Sequence, residues 1–420
     1  MKRILMIAYH FPPLAGSSGI QRTLRFVQQL PAHGWQVMVL SAHPRAYERT
    51  SSDLLGEIPQ DTVVRRAFAL DTARHLALRG RYIGSMARPD RWVSWRFDAV
   101  RVGLQLIREH RPDAIWSTYP IATAHLIGSA LSRKSGLPWI ADFRDPMAQD
   151  GYPADPLTWQ QYQAIERNAM LSAAACTFTT PGAARVYQQR YPTGATRVHV
   201  LENGYDEQSF VAAEKLRSTT AGQLNPGAIT LLHSGIVYSQ ERDPRQLMLA
   251  LRTLADKGTI RPGGFKIRFR APMQDEMVLQ SAAQHGVQDF IEVLPPVSYT
   301  QALHEMLRAD ALLLMQAGDC NEQIPAKLYE YLRARRPIVC LSDPAGDTIG
   351  LLRQAGMNKF ARIDSAPDIA SLLTSFLTDL DGDSDSDSAY LPNAEFARGA
   401  SRAGRAAELA ALLNQVTQLA

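Results

Sequence analysis

Short apolar runs alternate with amphipathic stretches along most of this 420-residue chain. In the first half, the apolar runs predict strands at Ile4–Tyr9, Gln36–Leu40, Ala114–Thr118, Trp139–Asp142, Cys176–Thr179 and Val198–Leu201. Between them, apolar residues that recur every three or four positions predict helices near 19–32, 96–110, 121–134, 157–173 and 181–190. Strands that alternate with helices form βαβ units, so we expect an α/β fold with a mostly parallel sheet.

The second half repeats this plan. Its apolar runs predict strands at Ile229–His233, Lys266–Phe269, Phe290–Val293, Ala311–Met315 and Ile338–Leu341. Helices are expected near 244–256, 274–284, 299–308, 325–334, 346–355 and 366–377. The pattern therefore predicts two doubly wound, Rossmann-like domains that face a cleft between the carboxyl ends of their strands, where open α/β sheets bind ligands.

The length also favours two domains, because 420 residues are too many for one hydrophobic core. The strand pattern of the first domain ends near ENGYD (202–206), and a loose polar stretch follows. We expect domains at 1–206 and 207–378. The acidic, low-complexity run DLDGDSDSDS falls within a predicted flexible linker at 379–393, which leads to a last helix within 394–420.

Composition and charge narrow the function classes. Three scattered cysteines without a CxxC pattern exclude a disulfide framework and a cysteine zinc site, and they indicate a reducing, cytoplasmic location. The N-terminal apolar run ends by His10 without a small-residue cleavage site, so it predicts a strand and not a signal peptide. Residues 1–204 carry 24 Lys and Arg against 15 Asp and Glu, whereas residues 205–420 carry 21 against 26. A basic half joined to an acidic half suggests different partners.

The sequence NEQIPAKLYEYLRARRPIV (321–339) places two carboxylates and one ammonium around a predicted helix start. Pro325 suits the first turn of a helix, where the free N–H groups and the dipole favour an anion such as a phosphate. Lys327 could add its charge there, and Glu330 shares its face one turn on. The carboxylate of Glu330, or of Glu322 in the preceding loop, could accept hydrogen bonds from the vicinal hydroxyls of a sugar. A solvated helix with a Lys–Glu pair would explain the same residues.

This stretch resembles a known family. Glu322 and Glu330 form a Glu-x7-Glu pair, and the PAKLYEYL and RPIV runs around it are similar to the C-terminal half-site of the family 4 retaining glycosyltransferases, which have the GT-B fold. The resemblance implies that Glu322 faces the donor sugar and that Glu330 binds the ribose of a nucleoside diphosphate. It also implies a closing helix that packs back on the N-terminal domain. Gln323-Ile324 replaces the Gly and Phe that often follow the first glutamate, which leaves the donor sugar open.

Two other segments of the second half extend the resemblance. LLHSGIVYSQERDPRQLMLAL (231–251) is similar to the family's first C-domain loop, where an Arg and a Lys hold the diphosphate. Gly235 forms the predicted turn and Arg242 is the candidate phosphate ligand, although the Lys of the usual pattern is absent. A solvated cap around Arg242 would explain the same residues. Arg270, in RFRAP (268–272), could be a substitute phosphate ligand.

In the first half, YHFPPLAGSSGIQRTLRF (9–26) follows the first strand and runs into a helix. Gly16 and Gly19 allow the backbone to approach a ligand closely, but the spacing is not GxGxxG and does not support a dinucleotide site. The segment resembles the glycine-rich loop of the N-terminal glycosyltransferase domain, which lies against donor and acceptor, and Arg22 could face the cleft. A plain strand–turn–helix is the alternative.

A third charged segment, WIADFRDP (139–146), ends a predicted buried strand in Asp142, Arg144 and Asp145. It resembles a subfamily common in polysaccharide synthesis, and on that basis we assign the three residues to the acceptor side. An internal ion pair is the alternative. His125, in the helix after Ala114–Thr118, is a weaker candidate, because a lone histidine is more often structural.

Residues 65–101 hold nine arginines against three aspartates, with Trp92, Trp95 and Phe97 interleaved in RWVSWRF. Arginine is attracted to anionic headgroups and tryptophan prefers the membrane interface. The segment suggests a peripheral contact with an anionic membrane, the inner face of the plasma membrane if the chain is cytoplasmic. Nucleic acid would also attract the charge, but no recognised nucleic-acid fold accompanies it, and a solvated basic surface is the third alternative.

Together these features predict a glycosyltransferase that moves a hexose from a nucleotide sugar (a UDP or GDP sugar) to a lipid-linked saccharide acceptor in polysaccharide synthesis. Arg242, Lys327 and the helix start would stabilise the leaving diphosphate, and Glu322 would face the sugar. We expect no cofactor and no metal, because no ordered acidic cluster suits one. A non-hydrolysing nucleotide-sugar epimerase and a non-catalytic nucleotide- or saccharide-binding protein are the alternatives.

Overall fold

The chain folds into two compact units in a computed structural model that describes residues 1–17, 19–217, 222–238, 242–381 and 389–418. Unit 1 comprises Met1–Asn203 and Arg402–Ala420, and unit 2 comprises Gly204–Ser401. The boundary expected after residue 206 thus falls just after Asn203. Part of the acidic stretch predicted as a linker, residues 382–388, lies outside the described residues.

Unit 1 is built on a seven-stranded parallel sheet in the order β3-β2-β1-β4-β5-β6-β7. Its strands are β1 (Lys2–Ile7), β2 (Trp35–Ala42), β3 (Val63–Ala67), β4 (Ala114–Thr118), β5 (Trp139–Arg144), β6 (Ala175–Phe178) and β7 (Val198–Val200). Its helices are α1 (Gly19–Gln29), α2 (Thr72–His75), α3 (Trp95–His110), α4 (Thr123–Ser135), α5 (Pro156–Ser172) and α6 (Pro181–Arg190). The six predicted strands are confirmed. The edge strand β3 was missed because two arginines interrupt its short apolar run.

Unit 2 is built on a five-stranded parallel sheet in the order β10-β9-β8-β11-β12. Its strands are β8 (Ile229–Ser234), β9 (Phe265–Arg270), β10 (Ile291–Leu294), β11 (Ala311–Met315) and β12 (Ile338–Leu341). Its helices are α7 (Glu207–Arg217), α8 (Arg245–Asp256), α9 (Asp275–Gln284), α10 (Tyr299–Arg308), α11 (Ala326–Ala334), α12 (Asp347–Gln354), α13 (Ala366–Asp381) and α14 (Ala394–Gly399). All five predicted strands are confirmed, whereas α7 was not predicted.

The last helix, α15 (Arg402–Gln418), belongs to unit 1. Its Leu409 and Leu413 are fully buried in one hydrophobic cluster with Leu24 and Val27 of α1. The prediction that the closing helix packs back on the N-terminal domain is therefore confirmed. The last helix predicted within 394–420 is two helices, because the helical run is interrupted at Ala400–Ser401 between α14 and α15.

The central strands are buried on both faces, as expected where helices cover a parallel sheet on both sides. In β4 and β11 every residue is buried. The thiols of Cys176, Cys320 and Cys340 are also buried and unbonded to one another. Within the described ranges, no helix combines the length and the apolarity needed to cross a bilayer.

The strand order locates the ligand-binding edge of each unit. The order reverses between β1 and β4 in unit 1, and between β8 and β11 in unit 2. At such a switch point the loops that follow the two strands diverge and leave a crevice at their carboxyl ends. The glycine-rich loop follows β1, while Gly235 follows β8 and the loop with Glu322 follows β11. Gly16, Gly235 and Glu322 thus lie in the loops at these two switch points, and Lys327 lies at the start of the helix that follows one of them.

Candidate functional site

Lys327 lies at the switch point of unit 2. Pro325 is the N-cap of α11, one position earlier than predicted, so Lys327 is the second residue of the helix. Its Nζ lies 3.1 Å from Nε2 of His233 in β8. Gly235 adopts φ +106°, and a Cβ there would lie 3.3 Å from the same Nζ. The amine therefore packs against the backbone of the turn after β8, where Gly235 has no side chain. The structure thus brings together two segments that lie 94 residues apart in the sequence.

His233 holds this amine as a neutral acceptor. Its Nδ1 lies 3.0 Å from the carbonyl oxygen of Leu313 in β11, and a carbonyl can only accept, so Nδ1 carries the proton. Nε2 is then free to accept from the ammonium of Lys327. Burial and the charge of Lys327 hold the pKa of His233 well below its usual value, so the ring stays neutral. Sequence analysis missed His233, whose only signal was a polar residue near the end of the buried run LLHS.

The environment of Lys327 works against its charge. Burial, and next the charge of Arg242, lower the pKa of Lys327 to about 7, with Glu330 acting in the opposite direction. The unfolded chain therefore binds this proton more tightly between pH 7 and about 10, so ligand-free protein gains stability as the pH rises through that window. Below pH 7 the ammonium of Lys327 is charged in both the folded and the unfolded chain, so the full free-energy cost of burying the charge remains. A bound anion would relieve that cost.

Arg242 supplies the second positive charge. Its Nη1 donates to the carbonyl of Ile236 at 2.8 Å, and its guanidinium lies 5.1 Å from the centre of the Tyr238 ring. Nε is buried and has no acceptor among the described residues. Arg242 thus stays beside the turn after β8, within electrostatic reach of Lys327. Two cations at one turn form a site for an anion with more than one charge.

Glu330 follows Lys327 by one turn of α11 and is half-buried. Its Oε1 accepts a hydrogen bond of 2.7 Å from the hydroxyl of Tyr299, the first residue of α10. A capping box between Ser298 and Gln301 fixes the start of that helix and so places the tyrosine. Tyr299 was not predicted as a site residue. It orients the carboxylate whose predicted partner is a pair of ribose hydroxyls.

Glu322 lies in the loop between β11 and α11, and its side chain is exposed. The loop around it is fixed from inside. Nε2 of the buried Gln316 donates to the carbonyls of Cys320 (2.7 Å) and Gln323 (3.0 Å), and the Thr348 hydroxyl donates to Oε1 of Gln316 at 2.6 Å. The backbone at Glu322 is thus held in place while its carboxylate stays accessible. Its role toward a donor sugar stays a prediction from the family.

Arg270, by contrast, is committed to an internal ion pair. Nε donates to Oε2 of Glu305 at 2.8 Å, Nη2 donates to Oε1 at 2.5 Å, and Nη1 donates to the Pro295 carbonyl at 2.6 Å. The guanidinium is buried at the end of β9. We therefore do not place Arg270 among the ligand-binding residues, because its donors serve this network.

In unit 1, Arg22 and Asp142 form a buried, bidentate ion pair. The Arg22 Nη2 and Nε atoms lie 2.8 and 3.1 Å from the two carboxylate oxygens. Asp142 also accepts from the hydroxyls of Thr118 (2.8 Å) and Thr177 (2.7 Å), and Arg22 also donates to backbone carbonyls of Leu201 and Glu202. Arg22 lowers the pKa of Asp142 against the opposing effect of burial. An internal ion pair, which the sequence left open for Asp142, is observed with Arg22 as the partner, so neither residue presents a free group to an acceptor.

His125 is fully buried in α4. The Ser117 hydroxyl accepts from Trp139 Nε1 at 2.8 Å and shares a second hydrogen bond, also of 2.8 Å, with Nδ1 of His125. The ring of Phe143 packs 4.7 Å away, centre to centre. Burial lowers the pKa of His125 to about 4. These contacts are those of a structural histidine in the core, which was the alternative to a binding role for His125.

The glycine-rich loop brings other groups together. Nδ1 of His10 lies 3.0 Å from the hydroxyl of Ser17, which accepts from the backbone N–H of Gly19 at 3.3 Å. A Cβ on Gly19 would lie 2.5 Å from that Nδ1 and 2.7 Å from Nη1 of Arg144. Gly16 has φ +80°, which favours glycine. Position 19 must therefore be a glycine, because the imidazole of His10 and the guanidinium of Arg144 approach it closely. His10 and Ser17 were not predicted as site residues, and the structure places them beside the predicted ones.

Arg144 is held in an unusual backbone conformation at the end of β5. Its φ is +64°, and its carbonyl accepts from both the N–H (2.8 Å) and the hydroxyl (2.9 Å) of Thr179. Its Nε is buried without an acceptor among the described residues. Burial lowers the pKa of Arg144, and the Asp145 and Asp142 charges oppose this. Asp145 is exposed. Strain of this kind is typical of functional positions, so of the WIADFRDP charges Arg144 is the one best placed to meet a ligand.

Residues 18–204 match the family model of the glycosyl transferase 4-like domain. None of the curated protein sequences matches this chain. HepE from Anabaena, solved with UDP and glucose, aligns with a TM-score of 0.63 at 13% identity over 99% of this chain and 100% of its own. Sucrose-phosphate synthase from Thermosynechococcus elongatus gives 0.65 at 13% identity over 100% of both chains. WaaG, a glycosyltransferase of lipopolysaccharide biosynthesis, gives 0.56 at 15% over 99% of both. At these identities the likeness is one of fold.

Proposed function

We propose that this chain, a glycosyltransferase of the GT-B fold whose residues 18–204 form a glycosyl transferase 4-like domain, transfers a hexose from a nucleoside-diphosphate sugar to a saccharide hydroxyl. The family and the fold predicted from the sequence are confirmed. A nucleotide sugar as the donor is supported by the proteins of like fold, one of which was solved with UDP and glucose. The acceptor, its lipid carrier and a place in polysaccharide synthesis are our inference.

One observation carries the donor assignment. Lys327, held by a neutral His233 over the bare turn at Gly235, lies within electrostatic reach of Arg242, and Glu330 follows one helical turn later. Two cations suit a diphosphate, and a carboxylate one turn away suits the vicinal hydroxyls of the attached ribose. As the glycosidic bond breaks, negative charge grows on the diphosphate, and Lys327 with Arg242 would stabilise it.

The sugar and the acceptor would be met by other residues. Glu322, accessible on its braced loop, would face the transferred hexose. In unit 1, Arg144, with the loop of Gly16 and Gly19, would bind the acceptor. We expect retention of the anomeric configuration, which is the outcome of the resembled family. We also expect no need for a metal. Among the described residues, no group of three or more His, Cys, Asp or Glu side chains has the arrangement of a metal site.

Screening nucleotide sugars tests this proposal most directly. UDP and GDP sugars should be compared by thermal stabilisation and by release of the nucleotide, with and without saccharide acceptors. Transfer to an acceptor supports the proposal. Conversion of the nucleotide sugar alone, without an acceptor, would establish an epimerase instead. Tight nucleotide binding without any turnover would establish a non-catalytic binding protein.

Glu330→Ala should weaken binding of the preferred nucleoside diphosphate by about 10- to 100-fold, since a hydrogen bond to a charged group contributes about 1.5–3 kcal/mol. Calorimetric titration with UDP and GDP measures this. Asp289→Ala, which removes an exposed carboxylate from the same unit, is the control and should leave the affinity unchanged. Equal affinities for Glu330→Ala and the unsubstituted protein would contradict the ribose assignment.

The affinity for UDP should fall as the pH rises above 7. Lys327 has its pKa lowered to about 7, so the free site loses its ammonium above that pH. The phosphates of UDP are already ionised there, since a phosphate monoester has its second pKa near 6. We expect up to about tenfold weaker binding per pH unit between 7 and 9, until the raised pKa of the complex limits the effect. Lys327→Met should lose this slope, and an unchanged slope would assign it to another group.

A further inference from the structure

Large exposed apolar side chains are concentrated in one segment of unit 1. Between residues 68 and 97, seven of them are more than a third exposed, and Leu78 (80%), Phe97 (78%) and Ile83 (68%) are the most exposed. The full set is Phe68, Leu76, Leu78, Tyr82, Ile83, Met86 and Phe97. Exposed apolar side chains concentrated in one place mark surfaces that bind a partner, which makes this segment a candidate for one.

Five of these side chains belong to residues 76–86, which we call the 76–86 loop. The N–H and C=O groups of Leu78 and Arg81 bond to each other at 2.8 and 3.1 Å, and Arg79 and Gly80 between them have φ +51° and +76°. Positive φ at both central positions is the geometry of a type I′ turn. The loop therefore ends in a tight turn with an arginine on each side of Gly80, next to Leu78.

The base of the segment is fixed to the core. The Thr72 hydroxyl donates to the carbonyl of Met86 at 2.8 Å, and its N–H donates to that of Arg91 at 2.9 Å. Trp95 is fully buried, and Trp92 donates through Nε1 to the carbonyl of Ala46 at 3.2 Å. The expectation that both tryptophans face a membrane is therefore corrected: they anchor the segment, and its aliphatic loop is exposed instead.

The arginines of the segment also form two groups, one near its base and one in its turn. Near its base, Arg88 pairs with Asp155 at 2.9 Å and Arg91 pairs with Glu48. In the turn, Arg79 and Arg81 are exposed and have no acidic partner among the described residues. Positive charge without an acidic partner thus lies beside Leu78, the most exposed leucine among the described residues.

We infer that the 76–86 loop docks on an anionic lipid bilayer, with Leu78, Ile83 and Met86 entering the boundary between headgroups and acyl chains and Arg79 and Arg81 on the lipid phosphates. Shallow apolar insertion combined with attraction to anionic lipid is the established way for a chain without a spanning helix to bind a membrane. Nucleic acid is a poorer fit, since four of the five exposed apolar side chains of the loop have no ring on which a base could stack. The inference extends the proposed function. It rests on the proposed lipid-linked acceptor, which is the reason for choosing a membrane as the partner.

Vesicle flotation with the full chain tests the docking without donor or acceptor, so its result is independent of whether transfer occurs. The probes are vesicles of phosphatidylcholine alone and of phosphatidylcholine with about one third phosphatidylglycerol, at low and high salt. We expect binding to the anionic vesicles that weakens with salt. Absence of binding to anionic vesicles at low salt would overturn the inference even if the chain proves to be an active transferase.

Two paired variants assign the binding to the loop. Arg79→Ala with Arg81→Ala should weaken binding at low salt by about 20- to 30-fold, at roughly fivefold per arginine near an anionic surface. Leu78→Ser with Ile83→Ser should weaken it about tenfold or more at both salt concentrations. The controls are Arg133→Ala with Arg167→Ala, and Leu249→Ser with Leu279→Ser, which change exposed residues elsewhere. Equal losses in variants and controls, or no effect of the serine pair, would contradict docking by this loop.

Discussion

Replacing Lys327 by alanine should lower turnover by about 10²- to 10³-fold while weakening nucleotide binding much less. The reason is that its ammonium meets a diphosphate whose charge grows as the glycosidic bond breaks, and removal of one such preorganised donor costs about that factor in other enzymes. Steady-state kinetics with saturating donor measures the effect on kcat. Lys327→Met, which keeps the aliphatic stem, should lose turnover to a similar extent.

The control separates a lost charge from a lost fold. Lys257→Ala removes an exposed ammonium just after α8 and should leave kcat unchanged. Lys327→Met should not lower the melting temperature of ligand-free protein at pH 7, because burial already disfavours the charge of Lys327 there. Turnover of Lys327→Ala within a factor of about two of the unsubstituted enzyme would remove Lys327 from the mechanism.

Replacing Asp142 by alanine should destabilise the protein by about 3–5 kcal/mol, since it leaves the buried Arg22 guanidinium without its counterion. Thr118 and Thr177 would lose an acceptor as well. Chemical denaturation measures the free energy of unfolding. The neighbouring exposed Asp145 gives the matched control: Asp145→Ala should change stability by no more than about 0.5 kcal/mol.

This pair of variants also decides between two roles for Asp142. A stable Asp142→Ala protein with an increased KM for the acceptor would restore the acceptor-binding role predicted from the sequence. A destabilised protein, partly recovered by the double variant Arg22→Leu with Asp142→Leu, would support the internal ion pair. Recovery is expected because removing both charges leaves no isolated ion in the core.

The strands were predictable because a parallel strand buried on both faces must be a short, continuous apolar run. Within the described residues, eleven of the twelve strands were predicted, and the arginine-bearing β3 was not. The spacing of Lys327 and Glu330 was equally local, since residues three apart share a helix face whatever surrounds them. For the same reason, the sequence could place Pro325 near the helix start to within one residue.

Partners far apart in the chain could not be predicted in this way. His233 matters because it donates a hydrogen bond to a carbonyl of β11 and accepts one from Lys327 of α11. Tyr299 likewise reaches Glu330 from another helix. Asp142 and Arg22 were both expected to be available to a ligand. The sheet places β5 beside β4 and β6, whose threonines complete the bonds of Asp142 and hold it inside.

The sequence by itself determined the alternation of strands and helices, the two Rossmann-like units and the candidate donor segment with Glu322, Lys327 and Glu330. Periodicity and helical spacing are local properties, and the chain carries them wherever it folds. Only the tertiary structure decided which side chains are internal and which face outward, as with Asp142 and Asp145, or with Trp95 and Leu78. A side chain's exposure and hydrogen-bond partners depend on which strands and helices pack beside it. The order of the strands is a non-local property, so no single segment of the sequence determines it.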